Sequence, residues 1–307
     1  MSGIDDDIVA QARMMFCASC GKSELDGITL MECADCKSVR YCSVSCQQDH
    51  RSQHEGKCKE YQEAHQAAEL RDEILFRHPE SRHLGDCPIC FLPLPVDLMQ
   101  SIYYSCCSKM ICNGCGHAHK LHQLQENRQH PSCPFCRHPI PRSPEETQKN
   151  LMKRIAANDP FVIQQIGAKN LNEGDFESAF KYFTKAVELG DAHAHFCISG
   201  MYLNGDGVEK DEKKEIYHLE EAAIQGHVSA RHNLGVYEER IDRAVKHFVI
   251  AASLGFDRSM QTLKEAYKAG DVSKEDYAAT LRAHHAAVAE TKSEQRDAAA
   301  KTDQEAL

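Results

Sequence analysis

The chain has no tryptophan in 307 residues, and aromatic side chains make up only 7% of it. No stretch approaches 18 consecutive apolar residues, which excludes a helix long enough to span a bilayer. Met1–Arg13 lacks a basic start and an apolar core and instead carries Asp5, Asp6 and Asp7, so it does not read as a secretory signal. Cations are also in the minority: 36 Lys and Arg against 46 Asp and Glu give a formal net charge of −10. A phosphate backbone needs clustered cations, so no nucleic-acid partner is expected. There is no phosphate-binding loop, no glycine-rich dinucleotide turn and no nucleophile constellation, which argues against nucleotide, redox or hydrolase chemistry.

Cysteine is what the chain has in excess. Of 16 cysteines, 15 fall between Cys17 and Cys136, leaving Cys197 alone in the second half. Five C-x-x-C pairs occur: Cys17/Cys20, Cys33/Cys36, Cys87/Cys90, Cys112/Cys115 and Cys133/Cys136. With no secretory leader, a reducing cytoplasm or nucleus is the expected setting, and there such clusters bind metal rather than form disulfides. The apolar fraction of 42% still suffices for ordinary cores elsewhere, and the length allows two or three domains.

The first series reads Cys17-x2-Cys20, Cys33-x2-Cys36, Cys42-x3-Cys46, His54-x3-Cys58. Eight ligands make two tetrahedral zinc sites, each closing only when distant segments meet. About 42 residues cannot build a sufficient apolar core, so the metal would supply the folding energy. The x3 spacings predict ligands one turn apart on a helix face. Five Lys/Arg against six Asp/Glu leave this module without a basic face. Cys42-Ser43-x2-Cys46-Gln47 followed by His54-x3-Cys58 resembles the MYND-type zinc finger. That resemblance implies Cys17, Cys20, Cys42 and Cys46 on one ion, and Cys33, Cys36, His54 and Cys58 on the other. It also implies a module that binds short, often proline-containing peptides. Arg51 stands where the family usually has Trp, which puts the usual peptide preference in doubt.

Polar residues 59–82 predict a helical linker stopped by Pro79. The second series follows: Cys87-Pro88-Ile89-Cys90, Cys106-Cys107, Cys112-x2-Cys115 and Cys133-Pro134-Phe135-Cys136-Arg137. Eight more ligands bring the total to 16, enough for four ions. Five basic and two acidic residues between Cys87 and Arg142 are too diffuse for a groove-reading surface. C-P-I-C at the start and C-P-x-C-R at the end resemble a RING finger over residues 83–142. Cross-brace pairing then implies Cys87, Cys90, Cys112 and Cys115 on one ion, and Cys106, Cys107, Cys133 and Cys136 on the other. Lys109 occupies the place where most RINGs have a histidine ligand. Either both Cys106 and Cys107 serve, on a bent backbone, or one of them pairs with His117 or His119. The resemblance further implies docking of a ubiquitin-charged conjugating enzyme on Ile89 and Pro134. Arg137, after the last ligand, would bridge ubiquitin and that enzyme.

Ser143-Pro144-Glu145-Glu146 predicts a helix start, with Ser as N-cap and Pro in the first turn, for a connecting helix over 143–157. Beyond it the chain repeats itself. Lys185–Ala192, Glu221–Val228 and Ile250–Asp257 align on Gly190, Gly226 and Gly255, and the shorter second interval reflects a trimmed loop. Such periods predict a solenoid of helix pairs over residues 158–290. Gly200-x-Tyr202-x2-Gly205-x-Gly207-Val208 resembles the Sel1-like repeat, a relative of the tetratricopeptide class, and implies a protein-binding scaffold. Phe161–Gly190 and Ser259–Ala289 read as degenerate capping repeats, and Cys197 as an inert core thiol. The Ala-, Lys-, Glu- and Gln-rich tail, 291–307, is expected to be disordered, and 1–16 forms an acidic leader segment.

The expected fold class is thus two small zinc-stabilised α+β modules, cross-braced, plus an all-α Sel1-like solenoid. Two functions fit. One is a RING-type ubiquitin ligase recruiting substrate through its repeats or first finger; the other is a non-enzymatic adaptor.

Overall fold

The computed structural model describes residues 16–126 and 130–305, with side chains described to residue 302. Apart from Phe16, the acidic segment expected at 1–16 lies outside the described residues. The chain divides into two compact units, one ending at Leu75 and the other beginning at Phe76.

The first unit holds one small hairpin and one long helix. Strands β1 (Met31–Glu32) and β2 (Arg40–Tyr41) pair antiparallel, with Met31 opposite Tyr41. Helix α1 then runs from Val44 to Leu75 without a break. Ser43 starts it, its Oγ accepting the Cys46 N–H at 3.2 Å, which satisfies one of the unpaired donors of the first turn. This corrects two expectations. Cys42 lies in the bend before α1, so Cys42 and Cys46 do not share a helix face. The linker helix expected from residue 59 is the continuation of the helix that already carries Cys46, His54 and Cys58.

The second unit combines the second cysteine-rich module with the helical repeats. Strands β3 (Ser101–Tyr104) and β4 (Lys109–Cys112) pair antiparallel, Ser101 opposite Cys112. Helix α2 (Asn113–Gln125) follows, and then the connecting helix α3 (Pro144–Ala156). Ser143 caps α3 as expected, accepting the Glu146 N–H at 3.3 Å. The repeats comprise α4 (Pro160–Asn172), α5 (Phe176–Glu188), α6 (Ala192–Asn204), α7 (Glu212–Ile224), α8 (Val228–Tyr237), α9 (Ile241–Ser253), α10 (Asp257–Ala269) and α11 (Lys274–Glu290). Each packs on the next, as helix pairs that cannot bury an apolar stripe alone must.

Composition explains the stack. Ala179, Ala186, Ala194, Ala222, Ala223, Ala230, Ala251 and Ala252 are fully buried, letting neighbouring axes approach, while Ile163, Phe183, Ile198 and Met201 fill one layer and Phe248, Met260 and Leu263 another. Asp159, Asp175, Asp191 and Asp211 each cap a helix by accepting the N–H three residues on. Gly190, Gly226 and Gly255 end their helices with φ near 84°, the left-handed region where a side chain would be strained.

The tail departs from expectation. Residues 294–305 form helix α12 (Glu294–Glu305), which packs against α2, and Ala299 is buried. Its alanines, which read as solvated in isolation, are small enough for two helices to meet closely.

Candidate metal centres

The two cysteine-rich modules are built from one local device. In the segments starting at Cys17, Cys87 and Cys133, the first cysteine's N–H donates to the carbonyl five residues on, at 2.7, 2.9 and 2.9 Å. The residue after the second cysteine then donates back to the first cysteine's carbonyl: Gly21 at 2.9 Å, Phe91 at 2.8 Å and Arg137 at 3.1 Å. Lys37 makes the same return bond to Cys33 at 3.0 Å. All four returning residues have φ between 55° and 75°, although only one is glycine. Holding Lys37, Phe91 and Arg137 in that region costs on the order of 1 kcal/mol each. The turn aims two sulfurs to one side, and that accounts for the strain.

The cross-brace geometry is shared as well. Cys17, Cys20, Cys42 and Cys46 bring their sulfurs within 4.8 Å of one another, and so do the ligand atoms of Cys33, Cys36, His54 and Cys58. In the second module, Cys87, Cys90, Cys112 and Cys115 form one such group and Cys106, Cys107, Cys133 and Cys136 another. A tetrahedral zinc thiolate with bonds near 2.3 Å has S···S edges of about 3.8 Å. The separations are Cys20–Cys42 3.5 Å, Cys42–Cys46 3.5 Å, Cys33–Cys58 3.8 Å, Cys90–Cys112 3.9 Å, Cys107–Cys133 3.5 Å and Cys106–Cys136 3.4 Å. Cys36 Sγ lies 3.4 Å from His54 Nε2. None of these is the roughly 2 Å of a disulfide, and every cysteine is free. The donor sets are compatible with zinc binding in both modules.

Adjacent ligands need a bent chain, and the β3–β4 turn supplies it. Residues 105–108 turn between the strands, Cys107 and Ser108 both donating to the Tyr104 carbonyl at 3.2 and 2.9 Å, with Ser108 at φ 59°. Neither His117 nor His119 joins the group; His119 Nε2 is instead 2.8 Å from the Ser132 carbonyl.

The thiols' acidities describe what a dication would correct. Burial raises Cys17, but hydrogen bonds from the backbone of Cys20, Cys42 and Ser19 outweigh it and draw the thiol down to about 6. Its neighbour Cys42 is pushed up to about 12 by the Cys20 and Cys46 thiols. Burial likewise raises Cys87, but backbone donors at Cys90, Cys112 and Ile89 outweigh it and draw the thiol down to about 7, whereas burial and Cys133 push Cys107 up to about 11. Four sulfurs this close cannot all ionise unaided, and a divalent cation removes that repulsion. Burial, followed by His50, lowers His54, keeping the neutral form that binds metal.

A fifth group, His83, His193 and His227, has a different character. His227 Nδ1 accepts the Ala230 N–H at 3.1 Å, so the neutral ring carries its proton on Nε2 and donates it to His193 Nδ1 at 2.9 Å. His83 packs at a tilt of 36° against His227, with centroids 4.3 Å apart. The facing nitrogens of His193 and His227 are spent on each other, which suits packing rather than ligation.

The residues expected to dock a conjugating enzyme are placed unequally. Ile89 is 40% exposed and Arg137 is exposed, while Pro134 is half-buried. Sequence reasoning passed over Phe91, 76% exposed beside Ile89; its position after a C-x-x-C was the available signal. Arg51 is exposed and lines an open groove of ≈ 510 Å³ with Val44, Gln47 and Cys58.

The second module is also fastened to the repeats by side chains that carry no motif. Arg82, buried, donates to the carbonyls of Leu254 at 2.7 Å, Ala287 at 3.1 Å and Leu94 at 3.4 Å. His78 Nε2 is 2.9 Å from Ser253 Oγ. Tyr103 donates to Asp159 at 2.8 Å and packs on Phe161, and Arg154 donates to Ser108 at 3.1 Å. Side chains at Gly226 or Gly255 would strike Ser81 and Arg82, so the chain at 81–82 rests on two bare helix ends.

Comparison with known proteins finds the MYND finger family at residues 17–58 and Sel1 repeats at 169–191, 194–227 and 229–256. A putative beta-lactamase HcpC from Helicobacter pylori is 42% identical over 60 residues, covering 20% of this chain and 21% of that protein. Ubiquitin carboxyl-terminal hydrolase 19 from Arabidopsis thaliana is 43% identical over 61 residues, covering 20% of this chain and 8% of that protein. The chain thus spans about a fifth, or less, of the length of these curated relatives. Among solved structures, c5321, a protective antigen of uropathogenic Escherichia coli with an SLR fold, is 25% identical over 47% of this chain and 33% of its own, with a TM-score of 0.39. A Sel1 repeat protein from Oxalobacter formigenes is 20% identical over 54% of this chain and 70% of its own, with a TM-score of 0.41.

Proposed function

We propose that this chain, a MYND finger and Sel1 repeats flanking a second cysteine module, binds four Zn²⁺ ions and acts as a RING-type ubiquitin ligase. The ions are structural. Each of the four groups offers four ligand atoms, a complete tetrahedron with no position left to activate water. Catalysis is then borrowed: a ubiquitin-charged conjugating enzyme docks on Ile89 and Pro134, and Arg137 bridges it to ubiquitin with a planar fork of donors. Holding the thioester in a reactive pose is a proximity effect. The Sel1 repeats and the MYND finger are protein-interaction modules, and recruitment of substrate through one of them follows from that chemistry. No helix among the described residues is long and apolar enough to cross a membrane; the proposed site of action is the cytoplasm or nucleus.

The observation that supports this reading most is the exposure of two apolar side chains, Ile89 at 40% and Phe91 at 76%, on the knuckle built around the buried Cys87. Apolar side chains grouped in water on one rigid turn suit a contact surface. Autoubiquitination with a panel of conjugating enzymes tests it. Chain formation by the wild type should vanish with Ile89→Ala and with Arg137→Ala, zinc content unchanged. A wild type inert across the panel sinks the ligase reading and leaves an adaptor that uses both modules for protein binding.

A further inference from the structure

The C-terminal helix begins at the Cys87/Cys90/Cys112/Cys115 group. Arg296, on α12, reaches the knuckle at Cys87–Cys90 from 206 positions away and donates from Nη2 to Cys90 Sγ at 3.6 Å. The same guanidinium donates to the carbonyls of Leu92 at 3.3 Å, Pro93 at 2.9 Å and Thr291 at 2.8 Å. Gln295 places its side-chain amide 4.0 Å from Cys115 Sγ. Across from them, Gly114 sits between the ligands Cys112 and Cys115, and a Cβ there would come within 2.7 Å of the Arg296 backbone nitrogen. Glycine at 114 is therefore what lets α12 close on the start of α2.

Four thiolates around Zn²⁺ carry a net charge of −2, concentrated on sulfur. A cation donating to one of those sulfurs withdraws charge from it and slows its attack on protons, oxidants and electrophiles. Neutralisation and steric cover here come from the same residue. Its hold on the Leu92 and Pro93 carbonyls also fixes the chain leaving the knuckle, and with it the backbone that carries Cys90.

We infer that α12 is an outer component of the Cys87/Cys90/Cys112/Cys115 site, with Arg296 as the positioning residue that holds Cys90 on the ion and shields it from exchange. The site is assembled from both ends of the second unit and is complete only when the tail is docked. Its lability is thereby set by a helix that supplies no ligand.

Full-length zinc-loaded protein, challenged with a strong chelator and an alkylating agent, tests this with thiol labelling followed cysteine by cysteine by mass spectrometry. Arg296→Ala should raise the labelling rate of Cys87, Cys90, Cys112 and Cys115 by about tenfold or more, the usual range for loss of an outer-sphere partner. Gly114→Ala, which changes neither a ligand nor Arg296 but pushes α12 and its arginine off the site, should do the same. Cys17, Cys20 and the Cys106/Cys107/Cys133/Cys136 group should keep their wild-type rates in both variants. Unchanged rates at the first four cysteines in both variants overturn the inference. So does uniform acceleration at all four groups, which would make α12 a general stabiliser.

Discussion

The two cysteine modules share a knuckle and a cross-brace but differ in what surrounds them. Residues 17–58 have a core of Cys17, Leu30, Cys33, Cys36 and Tyr41, in which three of five side chains are thiols. The second module likewise buries Cys87, Cys112, Cys115 and Cys133, but adds Leu94, Tyr104 and Ile111 and is bolted to the repeats by Arg82 and Tyr103 and to the C-terminal helix by Arg296. The same metal chemistry thus serves two ends. In the first unit it stands in for a core that is too small, and in the second it shapes a surface on a scaffold that can hold itself together.

The most severe test of that contrast is removal of zinc. With chelator at neutral pH, amides of residues 17–43 should lose hydrogen-exchange protection altogether, since structural zinc contributes about 10–16 kcal/mol in small fingers. Protection in α4–α9 should survive. If the repeats melt together with the finger, the contrast is wrong. Arg82→Ala should come next, lowering the stability of the second unit by about 3 kcal/mol through three lost charge-assisted hydrogen bonds, with no effect on exchange in residues 17–43.

Acid should separate the regions by a different route. His195 and His218 lie Nδ1 to Nδ1 at 2.9 Å, and burial, reinforced by His195, draws His218 down to about 4. Its folded value is below its unfolded one, so unfolding takes up protons. The stability from the neutral ring is whole above about pH 6.5 and drains away as pH falls towards 4. We expect a loss on the order of 1–2 kcal/mol across that window in thermal melts of the repeats, flattened by His218→Gln. The smallest effect is expected at the knuckles: Lys37→Gly and Phe91→Gly should relieve left-handed strain and raise stability by about 1 kcal/mol or less, read as a slight rise in melting temperature. Destabilisation there would mean that the side chains contribute more than the backbone loses.

How far these features were readable depends on the range of the forces involved. Spacing shows which two cysteines make half a site, because C-x-x-C closes a local turn, while the pairing of the halves is what the resemblances imply; the glycines at 190, 226 and 255 announce helix ends through their own conformational freedom. The x3 spacing puts Cys42 on a helix face wrongly, since spacing cannot tell a helical turn from a bend ahead of a cap at Ser43. The docking of the second module was hidden for another reason. Arg82 and Arg296 donate mainly to backbone carbonyls more than 170 positions away, and a carbonyl has no residue identity to leave in a pattern. The tail looked solvated because Glu, Gln and Ala say nothing about the helix they will lie against.

Residues 81 and 82 rest on the bare ends of two repeat helices, at Gly226 and Gly255. In a mutational scan, then, damage would surface far from its address. A bulky replacement at either glycine would strain its own helix end and, beyond that, score as a defect of the cysteine module, because it presses on the segment that seats that module. Genetic screens that sort variants by the domain they fall in would file such alleles in the wrong drawer.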